Sequence, residues 1–138
     1  MLEKVTVCMN DDSQFELKNG TDCDHLNPKE LLLFAAAKCA AMTALGIMDR
    51  EHVTPKKLEV TVSGELSTDT LRAESVFTDF TVVYNAEART QDEHVKISRA
   101  LNLTHDKYCG MVKMLNRIAP VSHEIAIVTT EPVANWSI

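Results

Sequence analysis

The chain has 138 residues, 45% hydrophobic and 25% charged, with few glycines and prolines, which predicts one globular domain, 1–138, with a core that needs no covalent staples. A formal charge of −6 without clustered Lys or Arg excludes a nucleic-acid partner and docking on an anionic membrane. The start, Met1 to Val7, lacks the basic and apolar regions of a signal peptide, so a cytoplasmic location is expected, where structural disulfides are rare.

Residues 3–8 alternate, with Val5 and Val7 on one face and Lys4, Thr6 and Cys8 on the other, predicting a half-buried strand. Asn10-Asp11-Asp12 marks a turn. Phe15 and Leu17 then alternate with Gln14, Glu16 and Lys18 on a second short strand, completing a hairpin. Asn19-Gly20 breaks it, and residues 21–26 read as loop. Asn27 is a good N-cap, followed by Pro28 at the first helical position and Glu30 in the first turn. The helix they open ends around residues 49–53, because Thr54-Pro55 forbids continuation.

Between Leu31 and Met48 the only charge on that helix is Lys38. A helix apolar around most of its circumference belongs in an interior, packed on several sides. Its length is near the lower limit for a membrane span. Lys38 at mid-helix and the many small residues favour close protein packing instead.

Leu58, Val60 and Val62 alternate with Glu59, Thr61 and Ser63 up to Gly64, residues 67–70 form a turn, and residues 76–84 are a strand with Phe80, Val82 and Tyr84 on one face. The pair reads as an antiparallel hairpin packed on one side. Residues 85–92 are polar loop. Asp92 is expected to cap a helix carrying Val95, Ile97 and Leu101, and Thr104-His-Asp-Lys to interrupt it. Thr104 or Asp106 then caps another helix, with Tyr108, Val112, Leu115 and Ala119 at helical spacing until Pro120. Ile125, Ile127 and Val128 suit a last strand, and Glu131–Ile138 a tail. Strands at both ends and in the middle, with helices around one dominant apolar helix, predict an α+β fold. Dimerisation would cover that helix's second face.

Four cysteines stand at positions 8, 23, 39 and 109, with no Cys-x-x-Cys pair to suggest a metal site. Cys23 lies between Asp22 and Asp24, and Cys8 on a polar strand face without a base; both read as inert. Cys109, in Lys107-Tyr-Cys-Gly-Met-Val-Lys113, has the start of a helix, Lys107 and Lys113 as supports for a thiolate, with His105 four residues before. Cys39 has only Lys38, and burial opposes its ionisation.

Taken together, Asn27-Pro-Lys-Glu-Leu-Leu-Leu-Phe-Ala-Ala-Ala-Lys-Cys39-Ala-Ala-Met-Thr, the strand to Gly64, Arg99-Ala-Leu-Asn-Leu and Lys107-Tyr-Cys109 resemble the OsmC/Ohr family of thiol-dependent hydroperoxide reductases, over roughly residues 27–128. The resemblance implies an OsmC-like fold, a long central apolar helix packed with antiparallel sheets, in an intertwined homodimer with sites at the interface. It implies that Cys39 attacks an organic hydroperoxide and becomes a sulfenic acid. Cys109 then condenses with it to a disulfide, which a thiol reductant, in some members a lipoylated protein, reopens. It implies no cofactor and no metal.

Two positions depart from the family's peroxidases. Lys29 occupies the slot that usually holds an acid, with Glu30 one place later as the candidate catalytic carboxylate. No arginine precedes Arg50, where peroxidases use one from the N-terminal strand region, which leaves Lys4, Lys18, Lys29 and Lys38 as substitutes. These departures keep a second reading open, an OsmC-like small-molecule binder or redox sensor without turnover.

Overall fold

The computed structural model describes residues 1–130, so the tail expected over Glu131–Ile138 lies outside the described residues. The chain runs β1 (Leu2–Met9), β2 (Phe15–Leu17), α1 (Pro28–Arg50), β3 (Lys57–Leu66), β4 (Phe77–Ala88), α2 (Gln91–Leu103), α3 (Gly110–Ile118) and β5 (Val121–Thr129). A single 3₁₀ turn, Cys23–His25, precedes α1, and a π-helical segment, Thr104–Tyr108, joins α2 to α3. Helices and strands form the expected α+β arrangement.

One sheet of five strands has the order β2-β1-β3-β4-β5. Period-two alternation sets its faces: Val5, Val7, Leu58, Val60, Val62, Phe80, Val82 and Tyr84 point inward and are buried. Helix α1 packs on β1 and β3, while α2 packs on β4 and β5. The β1, β2, β3 and β4 pairings are antiparallel, but β4 and β5 run parallel, with Tyr84 opposite Ile125. The connection through α2 and α3 makes that possible, since a parallel pair needs a long crossover.

Strand β4 continues to Ala88, through four residues expected as loop. Ala86 and Ala88 keep the inward alternation and are buried, and Asn85 and Glu87 face outward. Pairing with β3 on one side and β5 on the other overrides their weak strand propensity. The cap of α2 is Thr90 rather than Asp92, its hydroxyl accepting from the Glu93 amide at 3.1 Å.

Helix α1 begins as expected. Asn27 Oδ1 accepts from the Glu30 amide at 2.9 Å, and Glu30 Oε1 accepts from the Asn27 amide at 3.1 Å, a reciprocal capping box. It ends in a Schellman-type turn: His52 takes φ +58° and the Val53 amide donates to Met48 O at 3.0 Å. By length and composition alone α1 is long and apolar enough to cross a membrane. Leu33, Ala36, Ala37, Ala40, Ala41, Ala44, Leu45 and Met48 are buried in the protein core, the alanines letting β1 and β3 approach closely. The opposite side keeps Leu31 and Met42 exposed and Phe34, Cys39 and Ile47 half-buried.

Candidate functional site

Cys39 sits at mid-α1, half-buried, and lines a shallow groove of about 450 Å³ together with Ala35, Lys38, Met42 and Thr43. That lining is mostly apolar with one cation. Cys109 is fully buried at the start of α3, where α3 packs against α1. The two sulfurs are 3.6 Å apart, with the Cys109 thiol donating toward Cys39 Sγ, and both cysteines are free. Residues 70 apart in sequence are thus brought together by one helix–helix contact.

The junction before α3 explains the position of Cys109. The expected interruption at Thr104 is not a break but one widened turn, in which the Cys109 amide donates to Thr104 O at 2.9 Å and the Thr104 hydroxyl donates to Ala100 O at 2.8 Å. Such π-helical turns rotate the following residues relative to an unbroken helix. Cys109, not Thr104 or Asp106, then occupies the N-cap of α3, in extended backbone conformation.

The expected supports for a Cys109 thiolate are only partly present. The Val112 and Met111 amides face its sulfur and favour the anion, as a helix start does, without a formed capping hydrogen bond. Lys107 instead lies 5.3 Å over the Tyr108 ring, and Lys113 is exposed; neither counts among the groups that set the Cys109 acidity. Burial outweighs the amides, Cys39 adds to it, and the Cys109 thiol is pushed up to about 11. At neutral pH it is a protonated donor.

Glu30 is not brought to the cysteines. Its carboxylate belongs to the capping box, nine residues before Cys39, which at 1.5 Å per residue is roughly 13 Å along the axis. It also lines a separate pocket of about 270 Å³ with Lys4 and Lys18. Of the four lysines considered as replacements for an arginine, Lys18 pairs with Glu59 at 3.2 Å and Lys29 donates to Ala73 O at 3.3 Å. Lys4 lies at the Glu30 pocket. Lys38 alone of these four lines the Cys39 groove, its ammonium 5.9 Å above the Phe34 ring.

Cys23 is exposed in its turn. Cys8 faces the outer side of the sheet, where burial first, then Glu59 and Glu16, raise its pKa, and both remain apart from the pair. Among the described residues no group of three or more His, Cys, Asp and Glu is placed to hold a metal ion.

A polar cluster outside the pair joins β4, the π-helical segment and β5. Tyr84, fully buried on β4, lies with its hydroxyl 3.1 Å from His105 Nδ1. The His105 ring stacks on His123 of β5 at 3.9 Å. Its signals in the sequence are a tyrosine on an otherwise apolar strand face, since a buried phenol usually holds a hydrogen-bond partner, and His105 four residues before Cys109.

Comparison with known proteins places the fold. A family model described as OsmC-like protein matches residues 20–124, more than half of the chain. Protein YhfA of Escherichia coli (strain K12) is 24% identical over 102 residues, covering 74% of this chain and 73% of that one. An OsmC-like protein from Mycoplasma pneumoniae shares the fold with TM-score 0.60 at 16% identity, covering 93% of this chain and 97% of that one. The organic hydroperoxide resistance protein OhrB of Bacillus subtilis shares it with TM-score 0.54 at 15% identity, covering 91% and 97%.

Proposed function

The chain belongs to the OsmC-like family, and from that premise we propose that it is a thiol-dependent reductase of organic hydroperoxides, with Cys39 peroxidatic and Cys109 resolving. The observation that carries the reading is the 3.6 Å separation of the two sulfurs, one belonging to a residue that lines a groove and the other buried and protonated. Structures that share this fold include one named for organic hydroperoxide resistance.

In this reading the Cys39 thiolate attacks the outer oxygen of the peroxide. The O–O bond breaks, an alcohol leaves after taking a proton, and Cys39 becomes a sulfenic acid. Cys109 attacks that sulfur, water departs, and the disulfide awaits an external dithiol, of which a lipoylated protein is one class. The apolar groove walls, Ala35 and Met42, receive the organic part of the peroxide. Lys38 supplies the groove's positive charge, as a point charge without the planar fork of an arginine. Glu30 serves the start of α1 through its capping box, and enters the chemistry only if a partner subunit carries it there.

A homodimer, with each copy covering the outer side of the other's α1, completes the pocket. Exposed Leu31 and Met42 and half-buried Phe34 support it. The cytoplasm, where a dithiol pool keeps such a pair reduced, is the setting proposed, for a single domain over 1–138. A non-catalytic binder or sensor draws on the same groove and on the lack of an arginine before Arg50.

Mixing the reduced protein with tert-butyl or cumene hydroperoxide separates the two readings. Peroxidase action predicts loss of two thiols and a Cys39–Cys109 cross-link in peptide mass spectra. Peroxide consumption by Cys39→Ser equal to that of wild type would rule it out. A ligand that co-purifies in native mass spectra, with no turnover, would support the binder.

A further inference from the structure

Strand β5 lies at the edge of the sheet, pairs with β4 alone, and has no fully buried residue. The helices do not close on it evenly. A cleft of about 630 Å³ lies between α2 and β5, lined by His94, Ser98 and Asn102 of the helix and by His123, Ile125 and Ile127 among the strand residues. Histidine contacts tie the strand on either side of this cleft. His94 Nδ1 is 2.8 Å from Thr129 Oγ1. The His105 ring, in the π-helical segment, stacks on that of His123, with 3.9 Å between centroids and 25° between planes. Six residues separate Thr129 from His123, about 20 Å of strand.

The two ties answer a proton differently. A threonine hydroxyl donates to a neutral ring nitrogen or accepts from a protonated one, so the His94 contact survives in either state. The Tyr84 hydroxyl, 3.1 Å from His105 Nδ1, has the same freedom. The stack has none. One imidazolium can lie on a neutral imidazole, but two would set like charges 3.9 Å apart. The groups facing His105 are Tyr84 from β4, His123 from β5 and Asp106 from its own segment; α1 also packs on that segment, but of all these charges only His123 and Asp106 act on the ring. His123 is exposed and is faced by His105, with His94, Ser98 and Asn102 of α2 along the same cleft. Lys113 and Arg117 of α3, which also touches β5, are exposed.

We propose that the His105–His123 stack is a pH-sensitive latch, which fastens the first half of β5 to the turn leading into Cys109 and which acid releases by charging both rings. Burial first and then His123 lower the His105 pKa from the ordinary 6.5, while Asp106 opposes them. The folded value therefore lies below the unfolded one. The stability held in the latch is fully present above pH 6.5 and is lost as pH falls through the folded value. Release loosens the segment in which the Cys109 amide donates to Thr104 O at 2.9 Å, the bond that seats Cys109 as the N-cap of α3. Acid thus acts on the placement of Cys109 from a surface histidine. The latch rests on contacts outside the cysteine pair and needs no redox activity of it.

The test is amide hydrogen exchange of the reduced full chain at pH 8 and pH 5, corrected for intrinsic rates, on wild type and His123→Phe. Phenylalanine keeps a ring to stack but cannot ionise, and position 123 is exposed, so the variant folds. In wild type, residues 104–109 and 121–125 should lose protection by about tenfold at pH 5, the factor that one unit of pKa depression gives. Residues 127–129, beside the His94 tie, and strand β3 should keep theirs. In His123→Phe all four segments should keep at pH 5 the protection they have at pH 8. Unchanged wild-type protection, an equal loss in His123→Phe, or a loss spread over β3 as well would each overturn the latch. Ring titrations by NMR give a second reading: in wild type the stacked pair should titrate in two separated steps, and the His105 midpoint should rise toward 6.5 in His123→Phe. A His105 midpoint that His123→Phe leaves unmoved would overturn it too.

Discussion

Oxidising the cysteine pair would tie the middle of α1 to the start of α3, and the stability consequence can be worked out. The sulfurs stand 3.6 Å apart on residues 70 apart in sequence. A disulfide needs about 2.05 Å, so closure asks for roughly 1.5 Å of motion shared between two side chains. Cross-linking a loop of that length lowers the entropy of the unfolded chain by about 15 cal/mol/K, or about 4 kcal/mol at 25 °C. For a chain of this size the unfolding entropy near the melting temperature is about 0.3 kcal/mol/K, which converts the full effect to roughly 15 °C. Strain on closure reduces that, so we expect a rise of about 8–15 °C. Scanning calorimetry on reduced and peroxide-oxidised protein measures it, with Cys39→Ser and Cys109→Ala as controls that abolish the shift. No rise on full oxidation, or a rise that survives in Cys109→Ala, would refute the reasoning.

The acidity of Cys109 sets a pH window. Because its folded value is raised from 9.0 to about 11, its contribution to stability is fully present below pH 9 and is lost as pH rises through 11. The melting temperature of the reduced protein should therefore fall more steeply between those values than that of Cys109→Ala. At Gly64, an added Cβ would meet the Phe77 ring at 2.5 Å and Asp79 O at 3.1 Å. Gly64→Ala should thus cost about 1–3 kcal/mol in urea unfolding, and an unchanged midpoint would contradict the packing described for β3 and β4. Met42 is 57% exposed, so Met42→Asp should leave the protomer folded while light scattering shows loss of the proposed dimer. A dimer unaffected by the change would place the interface elsewhere.

Where local chemistry decided the structure, the sequence was readable. Asn27, Pro28 and Glu30 announce the start of α1, and the capping box is there. The alternation at Leu58, Val60 and Val62 gives β3 its buried face. What was hidden depends on long-range pairing. Ala86 and Ala88 carry no strand signal, and only their neighbours on β3 and β5 extend β4 through them. Lys107 and Lys113 flank Cys109 closely in sequence, but Lys107 turns to the Tyr108 ring and Lys113 is exposed on α3. Likewise, nothing in the sequence around Tyr84 predicts His105, 21 residues on, as its partner. The site is legible as two cysteines and their flanks. The contacts of His105 with Tyr84 and with His123 were hidden, because the crossover from β4 through α2 and α3 to β5 assembles them.

Trapping the first oxidised intermediate tests the central claim most directly. In reduced Cys109→Ala the resolving thiol is gone, so a single addition of cumene hydroperoxide in the presence of dimedone should label Cys39 stoichiometrically, with one peroxide consumed per protomer. Peptide mass spectra that show no adduct on Cys39, or label Cys8 or Cys23 instead, would contradict the assignment of Cys39 as the thiol that meets the peroxide.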